Sequence, residues 1–170
     1  MEMITAVFTT RRTVRLAAMA FMACAGVPAT AGAAEPDFGP NVLVFDQATP
    51  AATIASQLEA IAGEAEFGSG RHAVLFKPGT YNVDAQVGYY TSVAGLGRHP
   101  GDVVVNGGLR VEGRIDWSAG TDSALINFWR SLENLSVIPT GGTTRWAVSQ
   151  ASPMRRVHIQ GNLELMPAWW

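Results

Sequence analysis

The chain has 170 residues, of which 48% are apolar and only 15% charged, with a formal net charge of -2 at neutral pH. That is enough for one modest domain once an N-terminal leader is set aside. No basic block remains after residue 33, which argues against nucleic acid and against an anionic membrane surface as partner.

The first residues carry three parts in a fixed order. Arg11, Arg12 and Arg15 form a basic stretch, Leu16 to Val27 is an uncharged apolar run, and Pro28 to Ala34 is built of small residues around Ala31-Gly32-Ala33. This is the order of a secretory signal peptide. The apolar run is shorter than the roughly 20 residues a bilayer span needs. Residues 1–33 are therefore read as a signal cut after Ala33, with Ala31 as second choice. The mature protein is expected to be secreted and free of the membrane. Thr10-Arg11-Arg12 resembles a twin-arginine export signal, and the general export route is equally open. Cys24, the only cysteine, leaves with the leader, so no disulfide framework and no thiolate metal ligand is expected. Loss of three arginines and Glu2 makes the remainder mildly acidic.

Residues 34–40 read as a linker. Asn41 to Asp46 (NVLVFD) predicts a compact apolar strand. Thr49-Pro50 predicts a helix start, with Thr as cap and Pro at the first helical position. Ile54, Leu58 and Ile61 follow at helical spacing. One amphipathic helix is expected from about Pro50 to about Ala62, ended by Gly63 or Gly68. Glu59, Glu64 and Glu66 read as its solvated side.

After Gly70 the pattern changes. Short apolar runs alternate with glycine-bearing turns: HAVLF from His72, PGTY from Pro78, TSVAGLG from Thr91, DVVVNGG from Asp102 and LRVE from Leu109. Strands this short, with no helices between them, fit a meander, a sandwich or a solenoid. An internal repeat decides among these. Leu132, Leu135 and Val137 align with Met154, Val157 and Ile159 at one offset of about 22 residues, within the period range of stacked units. Like residues then stack coil on coil. Asn134 and Ser136 are expected to alternate outward on one coil, and Arg156, His158 and Gln160 on the next.

The fold expected is mainly β, a parallel β-helix over residues 41–170. The helix at about 50–62 would cap the open edge of its first coil. No comparable cap follows Met166 to Trp170. The solenoid is therefore expected to be incomplete at the C-terminus, with Trp169 and Trp170 packing on further coils of the full-length chain.

Phe76 to Tyr81 (FKPGTY), Val93 to Gly97 (VAGLG) and Val104 to Gly107 (VVNG) resemble the opening coils of pectate-lyase-like right-handed β-helix proteins. The longer string from Asn127 to Gln150 (NFWRSLENLSVIPTGGTTRWAVSQ) resembles large secreted actinobacterial-type proteins. Those are similar to family 55 glycoside hydrolases and often carry a discoidin-like (coagulation factor 5/8 type) carbohydrate-binding domain. The resemblance implies the N-terminal β-helix portion of a secreted, glucanase-like, polysaccharide-degrading protein. It also implies that the catalytic acid lies in a later half, so the portion is not catalytic by itself. Some relatives are labelled "adenylyl cyclase". The sequence has neither the phosphate-cradling glycine loop with its lysine nor a paired-aspartate metal site for that chemistry.

Glycan hydrolysis needs two carboxyl groups flanking one bond. The candidates are Asp84, Asp102, Glu112, Asp116, Asp122, Glu133 and Glu164, and no two demonstrably share a face. A lyase would need a base such as Arg155, Arg156 or His158, and no acidic cluster adjoins these in sequence. No residue is assigned a catalytic role. His72, His99 and His158 are far apart, so neither a metal nor another cofactor is expected. The best-supported contact is with sugar. Aromatic rings stack on the apolar face of a pyranose and Arg binds its hydroxyls. Trp129-Arg130 and Arg145-Trp146 offer that pair twice. The expected partner is a polysaccharide or cell-wall glycan. A non-enzymatic glycan-binding or adhesion β-helix, and an inactive truncated product, are the competing readings.

Overall fold

The computed structural model describes residues 36–116 and 121–166, and within 114–123 only the backbone. The expected signal peptide, Cys24, Trp169 and Trp170 lie outside the described residues. The protein is mainly β, with mostly parallel strands and one helix.

Strand β1 (Val42–Phe45) leads into helix α1 (Ala51–Ala62), after which β2 (His72–Phe76) returns parallel to β1. Two short strands follow, β3 (Gly79–Tyr81) and β4 (Asp84–Gln86). Strand β5 (Thr91–Gly95) lies beside β2, with Val93 next to Val74. Strand β6 (Val103–Arg110) then runs beside both β3 and β4, placing Val105 next to Tyr81 and Leu109 next to Ala85. An antiparallel pair, β7 (Arg114–Asp116) and β8 (Thr121–Ser123), interrupts the pattern. Strand β9 (Arg130–Pro139) pairs with β5 through its first half and with β6 through its second. Strands β10 (Thr143–Trp146), β11 (Met154–Ile159) and β12 (Asn162–Leu165) complete the order, with β11 beside β9 and β12 beside β10.

Among the described residues the parallel pairings form three ladders: β1, β2, β5, β9 and β11 in the first, β3, β6 and β9 in the second, and β4, β6, β10 and β12 in the third, where the Val111–Trp146 bridge joins the two pairs. The register on β9 and β11 puts Met154 beside Leu132, Val157 beside Leu135 and Ile159 beside Val137. These are the three pairs the sequence repeat specifies. Inward positions stack like on like: Val74, Val93 and Leu132 on the first ladder, Val105 and Val137 on the second, all fully buried. Each such side chain contributes about 1.5–3 kcal/mol by leaving water.

Helix α1 adds Ile54, Leu58 and Ile61 to the same core, beside Phe45 and Phe76. Its last turn lies on the chain at Gly88. A Cβ built there would stand 2.8 Å from the Ile61 carbonyl oxygen and 2.9 Å from the Ala62 Cα.

Three local expectations are corrected. The helix cap is Pro50, not Thr49, because the Thr49 hydroxyl turns back to the Asp46 carboxylate, donating to it at 3.2 Å. Glu64 is not a freely solvated residue, because its carboxylate meets His72 Nε2 at 2.7 Å. Ser136 is buried rather than outward, since the turn at Pro100–Asp102 covers it and the Pro100 carbonyl accepts its hydroxyl at 3.0 Å.

Two sets of corners use the left-handed backbone region. Tyr90, Trp129 and Ala151 have φ of 52°, 53° and 51°, just ahead of β5, β9 and β11. Asn134 and Arg156 have φ of 51° and 56° at matching points within β9 and β11. Each non-glycine residue there costs about 1–2 kcal/mol, least for Asn and most for bulky side chains.

Candidate functional site

The structure separates the four residues expected to contact sugar. Trp129 is 51% exposed at its corner, with its ring 5.3 Å from Tyr90 and 5.8 Å from Phe128. Arg130, the next residue, points inward and is 6% exposed. Its Nη1 donates to the Val87 carbonyl at 2.6 Å, and its guanidinium lies 4.4 Å from the centre of the Tyr89 ring. Arg145 and Trp146 belong to β10, on the third ladder. Trp146 is buried and donates from Nε1 to the Ser152 carbonyl at 3.0 Å. Arg145 bridges Glu112 at 3.3 Å and Glu164 at 3.1 Å. Trp129 is thus the member of the four that presents a ring to solvent. The two Trp/Arg pairs do not share a site.

The neighbours that the fold gives Trp129 are not its sequence neighbours. The Tyr90 N–H donates to the Trp129 carbonyl at 2.6 Å, and the His72 N–H to the Tyr90 carbonyl at 3.0 Å. This stacks the corner residues Arg71, Tyr90 and Trp129 one above another. The Arg71 guanidinium lies 3.6 Å from the centre of the Tyr90 ring. Its Nη1 donates to the Gly68 and Gly70 carbonyls at 3.0 and 2.5 Å, which fixes it there. Beside these residues lies a groove of about 510 Å³. Ser92 and Ser131, paired in register, line it together with Glu133. Arg155 donates to Glu133 at 2.5 Å. That hydrogen bond, against the opposing effect of burial and with the Arg155 charge beside it, holds the Glu133 carboxyl below the usual range. A hollow of about 300 Å³ shares Tyr90 and Trp129 with the groove and is also lined by Phe67 and Phe128.

Sequence reasoning missed Arg71, Tyr90 and Phe67. The signal was present in part: Arg71, Tyr90 and Trp129 each immediately precede a residue of one register row, His72, Thr91 and Arg130. Aligning β2 and β5 with β9 would have brought them together. Only β9 and β11 carry enough likeness for that.

The candidate carboxylates are engaged structurally. Asp84 pairs with Arg110, which also meets Glu112 at 3.0 Å, and Arg145 continues the chain to Glu164. Asp102 accepts the His99 N–H at 2.9 Å. The side chains of Asp116 and Asp122 lie outside the described residues. Arg156 donates to the Arg98 carbonyl at 2.9 Å. A polar hollow of about 700 Å³ at the end of α1 is lined by Glu64, Glu66, Glu112 and Arg130, among others. Two of its carboxylates are already held by His72, Arg110 and Arg145. Among the described residues no three His, Cys, Asp or Glu side chains come together as metal ligands.

No family model matches the chain. It is 50% identical over 135 residues to an exo-beta-1,3-glucanase from Streptomyces sp. (strain SirexAA-E / ActE), covering 77% of this chain and 21% of the glucanase. The solved structure of sacteLam55A from Streptomyces sp. SirexAA-E is similar, with a TM-score of 0.67 and 49% identity over 78% of this chain and 24% of that one. A variant of the same protein in complex with glucose matches with a TM-score of 0.68 at the same identity and coverage. The chain spans about one fifth to one quarter of the length of these relatives.

Proposed function

We propose that this chain is a portion of a secreted, glucanase-like, polysaccharide-degrading protein related to family 55 glycoside hydrolases, and that it supplies scaffold and glycan contact rather than turnover. The observation that carries this reading is 50% identity to an exo-beta-1,3-glucanase across 135 residues. The three ladders read as the faces of a right-handed parallel β-helix of pectate-lyase type. Helix α1 reads as its cap, with Ile54, Leu58 and Ile61 over the first coil. The absence of turnover is supported by the ladder carboxylates. Asp84, Glu112 and Glu164 are each engaged in ion pairs with Arg110 or Arg145, which fits a structural role for them.

Of the residues assigned to sugar, Trp129 contributes the contact and Arg130 buttresses its corner from behind. Arg145 and Trp146 hold the third ladder. Export rests on the leader, residues 1–33, and is tested by the mass of the secreted product, expected to begin at Ala34. Incubating the purified chain with laminarin tests the rest. Binding without release of glucose or oligosaccharides is expected. Hydrolysis would overturn the assignment of catalysis to another part of the protein. Failure to bind would overturn the glycan contact.

A further inference from the structure

We infer that Arg71, Tyr90 and Trp129 form one binding site for a neutral pyranose unit, with Ser92, Ser131 and Glu133 receiving its hydroxyls. This deepens the glycan-contact reading and rests on it.

The first argument is the backbone. Tyr90 and Trp129 both occupy the left-handed region, where bulky side chains are disfavoured. Gly or Asn would turn the chain there with less strain. The same corner on the next turn of the ladder is made by Ala151, at φ 51°. A methyl group therefore suffices for the turn. The two large rings are not needed to make the corner, and one of them stands half in solvent.

The second argument is the shape and chemistry of the groove. The two rings meet at 64° rather than stacking on each other. Arg71 covers Tyr90 and leaves the more exposed indole for a ligand. Beside the rings the groove is lined by the small side chains of Ser92 and Ser131, neighbours in register on β5 and β9, so a sugar ring can lie across two strands. Arg71 brings donors and Glu133 acceptors to the same groove. The groove is lined both by Arg71 and by Glu133, the latter paired with Arg155, so groups of both signs border it. A uronate would meet Glu133, and an amino sugar would meet Arg71. A neutral hexose meets neither objection.

The test is calorimetric titration of the full chain with three probes: a neutral β-1,3-gluco-oligosaccharide, an oligogalacturonate and a chitosan oligomer. The neutral probe is expected to bind best. Trp129→Gly should weaken it by about tenfold or more, which corresponds to about 1.4 kcal/mol, while the thermal midpoint holds or rises because glycine suits the corner. Tyr90→Asn and Arg71→Met should weaken it several-fold, and Trp129→Phe should keep most of it. Binding by the wild type that is unchanged in Trp129→Gly and Tyr90→Asn would overturn this site while leaving the glycan reading intact. A wild type that binds none of the probes would overturn both. Preference for a charged probe, or a large fall in midpoint for both corner variants with binding retained, would also overturn it.

Discussion

Arg155 stands directly beside Glu133, its Nη2 2.5 Å from the carboxylate, because β11 runs in register with β9. The two residues are 22 apart in sequence, the offset of the apolar repeat. The apolar pairs set the register, and the ion pair follows from it.

That pair predicts a pH dependence. The hydrogen bond from Arg155 holds Glu133 below its usual range in the folded protein. A carboxyl with a depressed folded pKa contributes stability that is present above its unfolded pKa and lost as pH falls through the folded one. Denaturant unfolding from pH about 7 to about 3 should therefore show a shallower acid limb in Glu133→Gln than in the parent. Stability at neutral pH should change little, since Arg155 is exposed and surface pairs contribute weakly. Identical acid limbs would count against the interaction.

Asn134 predicts a larger effect. Its Nδ2 donates to the carbonyls of Gly95 and Gly97, both at 2.8 Å, from a backbone at φ 51°. Asn134→Ala removes both bonds and leaves a Cβ in the left-handed region with no polar group to compensate it. The expected loss is about 2–3 kcal/mol. Asn134→Gly should lose less, because glycine accepts that backbone. The difference between the two variants, read by urea unfolding, isolates the backbone contribution.

The sequence made the helix legible because Ile54, Leu58 and Ile61 repeat at 3.6-residue spacing with little competition. The β9 and β11 pairing was legible because three apolar positions recur at one offset. The other registers were not, since β2, β5 and β9 are joined by connections of unequal length. One of these contains the β7 and β8 hairpin. The inward turn of Arg130 was illegible for a related reason. Its carbonyl acceptor, Val87, lies 43 residues away. Ser136 looks outward by alternation, yet a turn 36 residues earlier covers it. The corners at Tyr90 and Trp129 were hidden because aromatic residues do not advertise the left-handed region, as glycine or asparagine would.

Gly88 should not tolerate a side chain. The atoms a Cβ would meet belong to the backbone of α1, at 2.8 and 2.9 Å, and cannot rotate away. Gly88→Ala should push the helix end off the core and loosen the packing of Ile61 and Leu58. A cost of about 1–3 kcal/mol is expected, as for other overpacked sites. A lowered thermal midpoint by circular dichroism, with faster hydrogen exchange confined to α1, would be the signature. A midpoint equal to the parent's would show that the helix shifts at no cost.

Tyr81 links the first strand to the turn after β2, and its two hydrogen bonds differ in consequence. Its single hydroxyl proton is shared between the Lys77 carbonyl at 2.7 Å and the Phe45 carbonyl at 3.2 Å. The Phe45 carbonyl also accepts the Lys77 N–H at 2.9 Å, so it keeps a partner when the hydroxyl is removed. Both carbonyls lose the tyrosine donor, but the Phe45 carbonyl retains the Lys77 N–H. Tyr81→Phe, which keeps the ring against Phe76 at 4.8 Å, should therefore cost about 1 kcal/mol rather than twice that. Burial first, and then the nearby Asp46 charge, raise the Tyr81 pKa above the ordinary phenol value. A raised folded pKa means stability that is fully present below the unfolded pKa and lost as pH rises through the folded one. The alkaline limb of the stability curve, above pH about 10, should be shallower in Tyr81→Phe. Ultraviolet titration should show one fewer tyrosine ionising late. An unchanged alkaline limb would mean that another group governs unfolding there.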